Sequence, residues 1–181
     1  MTRIIAGAYG GRQIKTPKGD GTRPTSDRVR EAMFSSLESE LGGFEDLRVL
    51  DLFAGSGALG LESLSRGAIH ATFIESDARA AAVVKQNVEA LKAPGVVVRT
   101  TVERYLANAP GEPFDLVFLD PPYAVTTDAV SAFVSSLGNG WTAADALFVV
   151  ERATRDPFVW PKGVEGLRNK KYGETTLWYG R

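Results

Sequence analysis

Between residues 48 and 151, short apolar runs alternate with segments of helical spacing, and the first run empties into a glycine-rich turn. Such alternation predicts an α/β protein with a doubly wound, mostly parallel sheet, because each parallel pair of strands needs a long crossover and helices supply it. The expected strands are Arg48 to Phe53, Ala71 to Ile74, Val96 to Thr100, Phe114 to Leu119 and Ala146 to Glu151. Helices are expected over residues 58–66, from about Asp77 to Leu91 with Ser76 as cap, near 102–108 and near 127–137. Upstream, residues 3–6 and 11–15 around Tyr9-Gly10-Gly11 read as a hairpin, and Lys15 to Pro24 as a loop. Thr25-Ser26-Asp27 then offers caps for a helix with apolar positions Val29, Met33, Leu37 and Leu41, stopped by Gly42-Gly43. The tail reads as an antiparallel hairpin, Leu167 to Lys171 and Thr175 to Tyr179. Two units follow: an N-terminal arm over 1–24 and a main domain over 25–181.

Composition narrows the function. With 181 residues, 44% of them apolar, the chain is long enough for one well-filled core and too apolar for disorder. No apolar run reaches the roughly 18–20 residues of a membrane span. The stretch Met1 to Gly7 is too short for a signal peptide, so a cytoplasmic location is expected. The absence of Cys excludes disulfides, thiolate nucleophiles and Cys-ligated metals, and a single His, His70, argues against a His-based zinc site. No metal is expected. A net charge of -1 hides an uneven distribution. Residues 1–30 hold seven cations (Arg3, Arg12, Lys15, Lys18, Arg23, Arg28 and Arg30) against Asp20 and Asp27, while the rest is acidic. A basic arm on an acidic body suits a polyanionic partner and equally suits a solvated hairpin.

In doubly wound sheets, ligands bind beyond the carboxyl ends of the strands. The first such turn here is Asp51-Leu52-Phe53-Ala54-Gly55-Ser56-Gly57-Ala58-Leu59-Gly60. Its glycine spacing is compatible with NAD, FAD or S-adenosylmethionine, and Glu75, at the end of the second strand, is placed to hold ribose hydroxyls. Asp51 separates these ligands. A carboxylate beside the turn repels a pyrophosphate and attracts the α-ammonium of S-adenosylmethionine, which has no phosphate.

The fourth strand ends in Asp120-Pro121-Pro122-Tyr123 and is expected beside the first. Alone, that tetrapeptide is an ordinary strand-ending turn. Next to the glycine turn it suits an exocyclic amine on a nucleobase, a weak nucleophile whose lone pair is conjugated into the ring. The Asp120 carboxylate and the Pro121 carbonyl can accept the two amine N–H bonds and favour the pyramidal form. The paired prolines stiffen the loop, and Tyr123 offers a flat face for a flipped base.

These motifs resemble those of exocyclic-amino methyltransferases of nucleic acids. With Arg3 to Gly7, Gly11-Arg12 and Arg23 to Glu31 added, nearly the whole chain resembles the bacterial 16S rRNA guanine-N2 methyltransferases, the RsmD family. The resemblance implies the class I, Rossmann-like methyltransferase fold, with S-adenosylmethionine as methyl donor. It also implies a guanine of 16S rRNA as acceptor, in the 30S subunit or its assembly intermediate. By position, Asp51, Phe53, Gly55, Ser56, Gly57 and Leu59 would line the methionine side of the donor, and Glu75 its ribose. Backbone groups near Val102 would meet adenine, where many methyltransferases carry an Asp and this chain reads Thr100-Thr101-Val102-Glu103. Asp120, Pro121 and Tyr123 would hold the base. The seven cations of the arm would meet RNA phosphates. A monomer is expected.

Two other readings stand beside this one. A DNA adenine-N6 methyltransferase would use the same amine-binding loop, although 181 residues leave no room for a separate target-recognition domain. A non-catalytic RNA-binding assembly factor would have no use for Asp51, Glu75 and Asp120. An NAD-dependent oxidoreductase is disfavoured by Asp51, and cytosine-C5 methylation of the usual type by the lack of a Cys nucleophile.

Overall fold

The structure is a computed structural model and describes residues 1–18 and 26–181. Among the described residues, five helices and nine strands run in the order β1 (Thr2–Arg3), β2 (Gln13–Ile14), α1 (Asp27–Leu41), β3 (Arg48–Asp51), α2 (Ala58–Ser65), β4 (His70–Glu75), α3 (Ala78–Leu91), β5 (Gly95–Arg99), α4 (Val102–Leu106), β6 (Phe114–Leu119), α5 (Thr127–Leu137), β7 (Thr142–Ala153), β8 (Gly166–Tyr172) and β9 (Thr175–Gly180). Seven strands form one sheet in the order β5-β4-β3-β6-β7-β9-β8. Strands β3 to β7 are mutually parallel, and β9 runs antiparallel between β7 and β8. Strand order reverses between β3 and β6, so the loops after these two strands face each other across the switch point.

The strands bury both faces. In β3, Val49 packs on one side and Leu50 on the other, and β7 repeats this with Leu147 and Val149 against Phe148 and Val150. Such runs are continuously apolar because successive side chains enter opposite layers of core. One layer receives Met33, Phe34 and Leu37 of α1, Leu61 and Leu64 of α2, and Val84 and Val88 of α3. The other receives Val102 of α4 and Val130, Phe133, Val134 and Leu137 of α5. The two edge strands are the exceptions: β5 has no fully buried residue and exposes Val96, and in β8 Asn169, Lys170 and Lys171 are exposed, where charge on an edge discourages pairing with another sheet.

Helix ends follow local chemistry. The Ser26 hydroxyl caps α1 by accepting the Val29 amide, and Gly42 closes it in the left-handed region at φ 73°. At α3 the cap is Asp77, whose carboxylate accepts the Ala80 amide at 2.8 Å, and not Ser76. Strand β7 starts four residues earlier than its most apolar stretch and continues to Ala153, because β9 pairs with it through Ala153.

The N-terminal hairpin is shorter than expected, with two residues in each strand. A ladder of that size has no independent stability. It persists by docking: Ile4 and Ile14 are buried in the core layer shared with α1 and α2. Fully buried Glu62 of α2 accepts the Ile5 and Ala6 amides at 2.8 and 3.1 Å, and pairs with Arg66 at 3.0 Å.

Candidate active site

The turn after β3 is built to leave its inner face open. Gly55 and Gly57 have φ of 58° and 82°, a region that side chains with a Cβ rarely occupy. Gly60 serves packing instead, since a Cβ there would lie 2.3 Å from the Phe73 ring. Glu75, at the end of β4, accepts the Gly55 amide at 2.9 Å and the Asp77 amide at 3.0 Å. A carboxylate of the chain thus occupies an amide that a dinucleotide fold would aim at pyrophosphate, which disfavours NAD and FAD.

Asp51 sits one layer deeper. It is 1% exposed, one carboxylate oxygen accepts the Gly60 amide at 3.2 Å, the Phe53 amide also acts on the carboxylate, and Oδ1 is buried without a well-formed hydrogen bond. Burial, with a further push from Glu75, raises its pKa to about 7. A buried carboxylate left half-satisfied is a costly feature in an otherwise well-paired protein, and a cation nearby would relieve it.

Asp120 follows β6, and Pro121 is buried while Tyr123 stands out with 56% of its surface exposed. The Asp120 pKa is raised well above the ordinary carboxylate range, by burial first, then by the charges of Glu151 and Asp51 and a hydrogen bond with Glu151. The far end of this loop is pinned by buried Arg152, which donates to the Val125 carbonyl at 2.9 Å, to Thr127 at 3.0 Å and to Asp156 at 2.9 Å.

Both loops open onto one cavity of about 1160 Å³. Ligand pockets usually measure about 300–1,000 Å³, so there is space for a donor and a nucleobase together. Phe53, Gly55, Ser56 and Leu59 line it from the first turn, Glu75 from β4, and Val102 from the start of α4. Asp120, Pro121 and Tyr123 line the opposite side, so the glycine turn, Glu75 and the Asp-Pro-Pro-Tyr loop meet in one space. Asp51 and Gly57 lie behind the wall. Glu151, Arg79, Phe133 and Thr175 also face the cavity, and none of them belongs to a motif. Among the described residues, no cluster of His, Asp and Glu is arranged to hold a metal ion.

This arrangement has relatives. The profile of the family described as Conserved hypothetical protein 95 matches residues 2–181. Ribosomal RNA small subunit methyltransferase D of Escherichia coli strain K12 is 41% identical over 152 residues, covering 82% of this chain and 73% of that protein. The protein of the same name from Haemophilus influenzae is 37% identical over 175 residues, covering 94% of this chain and 89% of that one. The chain belongs to the ribosomal RNA small subunit methyltransferase D family. A solved structure described as the putative methyltransferase yhhF of E. coli superposes with a TM-score of 0.85 at 38% identity, covering 99% of this chain and 96% of that one. The protein is a methyltransferase, and its sheet is the Rossmann-like sheet of that class of enzyme.

For a member of this methyltransferase family, the basic arm divides into exposed cations and cations engaged within the described residues. Lys18 is exposed at the cavity mouth, and Arg28 is exposed on the first turn of α1. Arg3 is largely exposed and pairs with Asp27 at 3.5 Å. Arg12 and Lys15 lie against α3, donating to the Ala90 carbonyl and to Gln86. Arg30 corrects the expectation of a phosphate contact. It is 2% exposed, and its guanidinium donates to Thr2, to the Arg3 carbonyl and to Asp27, stapling the hairpin to α1. Arg23 lies outside the described residues.

Proposed function

We propose that this enzyme transfers the methyl group of S-adenosylmethionine to the exocyclic N2 of a guanine in 16S rRNA, in the cytoplasm, on the 30S subunit or its assembly intermediate. The observation that carries the reading is the single cavity shared by the glycine turn, Glu75 and Asp120-Pro121-Pro122-Tyr123. Small-subunit ribosomal RNA comes from the names of the relatives, and the amine from the chemistry of the loop.

The residues present fit the donor. Glu75 would hold its ribose, the open glycine turn would admit its methionine part, and backbone near Val102 would meet its adenine. The Asp51 oxygen without a well-formed hydrogen bond gives the wall a negative charge toward a cation. When bound, S-adenosylmethionine supplies a methyl group on a positively charged sulfur. The chain does the rest. Asp120 and the Pro121 carbonyl accept the two N–H bonds of the target amine, so that its lone pair turns toward the glycine side of the cavity. Tyr123 stacks on the flipped base, and the stiff prolines keep the cost of ordering the loop low. As N2 gains its methyl it loses one proton, which the Asp120 carboxylate is placed to receive.

The arm over residues 1–24 would bind RNA backbone through Arg3, Arg12, Lys15, Lys18 and Arg23, continued by Arg28 on the domain over 25–181. An acidic cavity with a basic rim separates the two tasks: the rim attracts phosphate, and the interior attracts the donor.

The test is transfer of labelled methyl to 30S particles from a strain lacking the enzyme, followed by mass mapping. Label on guanine N2 of 16S rRNA is expected. Label on DNA adenine N6, or none on RNA, would overturn the reading.

A further inference from the structure

The parallel pairing of β6 with β7 sets Leu119 opposite Val150, so Asp120 and Glu151 are the next residues along two adjacent strands. Their side chains are hydrogen-bonded to each other, and both line the cavity beside Pro121 and Tyr123. Two carboxyl groups in such contact carry one proton between them. Together they offer more acceptor oxygens than an exocyclic amine can use, because Asp120 and the Pro121 carbonyl already account for its two N–H bonds.

The surplus acceptor suits one nucleobase. Guanine carries a ring N–H, at N1, directly beside its amine. Adenine and cytosine carry a bare nitrogen lone pair in the corresponding place. We propose that Glu151 is the specificity-determining residue of this site: its carboxylate accepts the guanine N1–H and repels the ring lone pair of adenine or cytosine. Asp120 addresses the amine that reacts, and Glu151 reads the atom next to it. When the base enters, the proton shared by the two carboxyl groups leaves to solvent, and their mutual hydrogen bond is exchanged for bonds from N1–H and N2–H. Selection against the other bases thus comes from repulsion as well as from attraction.

This inference rests on the guanine-N2 reading, and its test separates the two. Once labelling has located the target, particles are assembled on RNA ligated with guanine, 2-aminopurine or 2,6-diaminopurine at that position. Both analogues keep the 2-amino group and lack N1–H. The wild-type enzyme is expected to favour guanine in kcat/KM by roughly 10⁴-fold, the range of sites built to hydrogen-bond a donor that the analogue lacks. In Glu151→Gln the amide can accept from N1–H or donate to a bare N1, so the preference should fall to within about fivefold, with donor affinity within about twofold of wild type. Glu151→Ala, which removes both the acceptor and the repulsion, should also collapse the preference, and it stands in if the Gln variant does not fold. An unchanged guanine-to-analogue ratio in the variants, with both rates lowered equally, would overturn the role of Glu151. A wild-type enzyme indifferent to the analogues would do the same. Failure of wild type to label guanine N2 in native particles is a different result and would overturn the parent reading.

Discussion

Asp51 costs the native state stability at the place where the proposed donor site calls for a negative charge. Its pKa is raised to about 7, so between the unfolded value near 4 and that point the native state holds a proton that the unfolded chain has released. The native state is therefore penalised as pH rises through this window. The penalty is absent below about pH 4 and complete above about pH 7. Asp120 shifts in the same direction and adds to the trend. Asp51→Asn should therefore melt higher than wild type at pH 8, by roughly 2–4 kcal/mol of unfolding free energy, with the gap closing toward pH 4. Donor affinity, measured by calorimetry at pH 8, should weaken by about tenfold, as expected for the loss of one unscreened charge. A variant that is less stable at pH 8, or that binds donor unchanged, would remove Asp51 from the site. Much at this scale was legible in the sequence, because Asp51, Glu75 and Asp120 sit in local motifs. Glu151 and Arg152 were not. They meet the Asp120-Pro121-Pro122-Tyr123 loop and its continuation through the register of β6 against β7 and through folding of the 125–127 segment, and neither contact leaves a spacing in the chain.

Among the elements, the hairpin and the glycine turn are joined by one buried side chain. Asn87 of α3 accepts the Lys15 amide at 2.9 Å, and donates to the Lys15 carbonyl at 2.9 Å and to the Ser56 carbonyl at 2.8 Å. The arm that would meet RNA is thus tied to the turn that would meet the donor. Replacing Asn87 with Ala leaves part-buried backbone groups of Lys15 and Ser56 without their partner and should cost about 1–2 kcal/mol, the low end of the penalty for unsatisfied groups. Thermal unfolding checks the stability, and donor binding should weaken as well, since Ser56 loses its anchor. Donor affinity unchanged in a destabilised variant would show that the tie has no bearing on the cavity. The strands and helices themselves were readable because alternation and helical spacing are local signals. Their ends were less so. Asp77 and Ser76 are both capping residues, and only the path of the chain out of Glu75 decides between them. Arg30 looked like one more cation of the arm, and the docked hairpin buries it.

At the scale of the whole molecule, the fold places an acidic cavity at the switch point of the sheet and a docked basic hairpin beside it. Lys18 stands at the mouth, while Glu75, Asp120 and Glu151 line the interior. The alternating pattern predicted the sheet, and the order β5-β4-β3-β6-β7-β9-β8 confirms that the first and fourth loops are neighbours. A crystal structure of the enzyme with bound S-adenosylhomocysteine tests that juxtaposition most directly. The ribose should rest on Glu75 and the sulfur should face Asp120 across the shared cavity, near enough for a methyl group to span from sulfur to an amine held there. A sulfur atom directed away from Asp120, with protein between the two, would contradict the account.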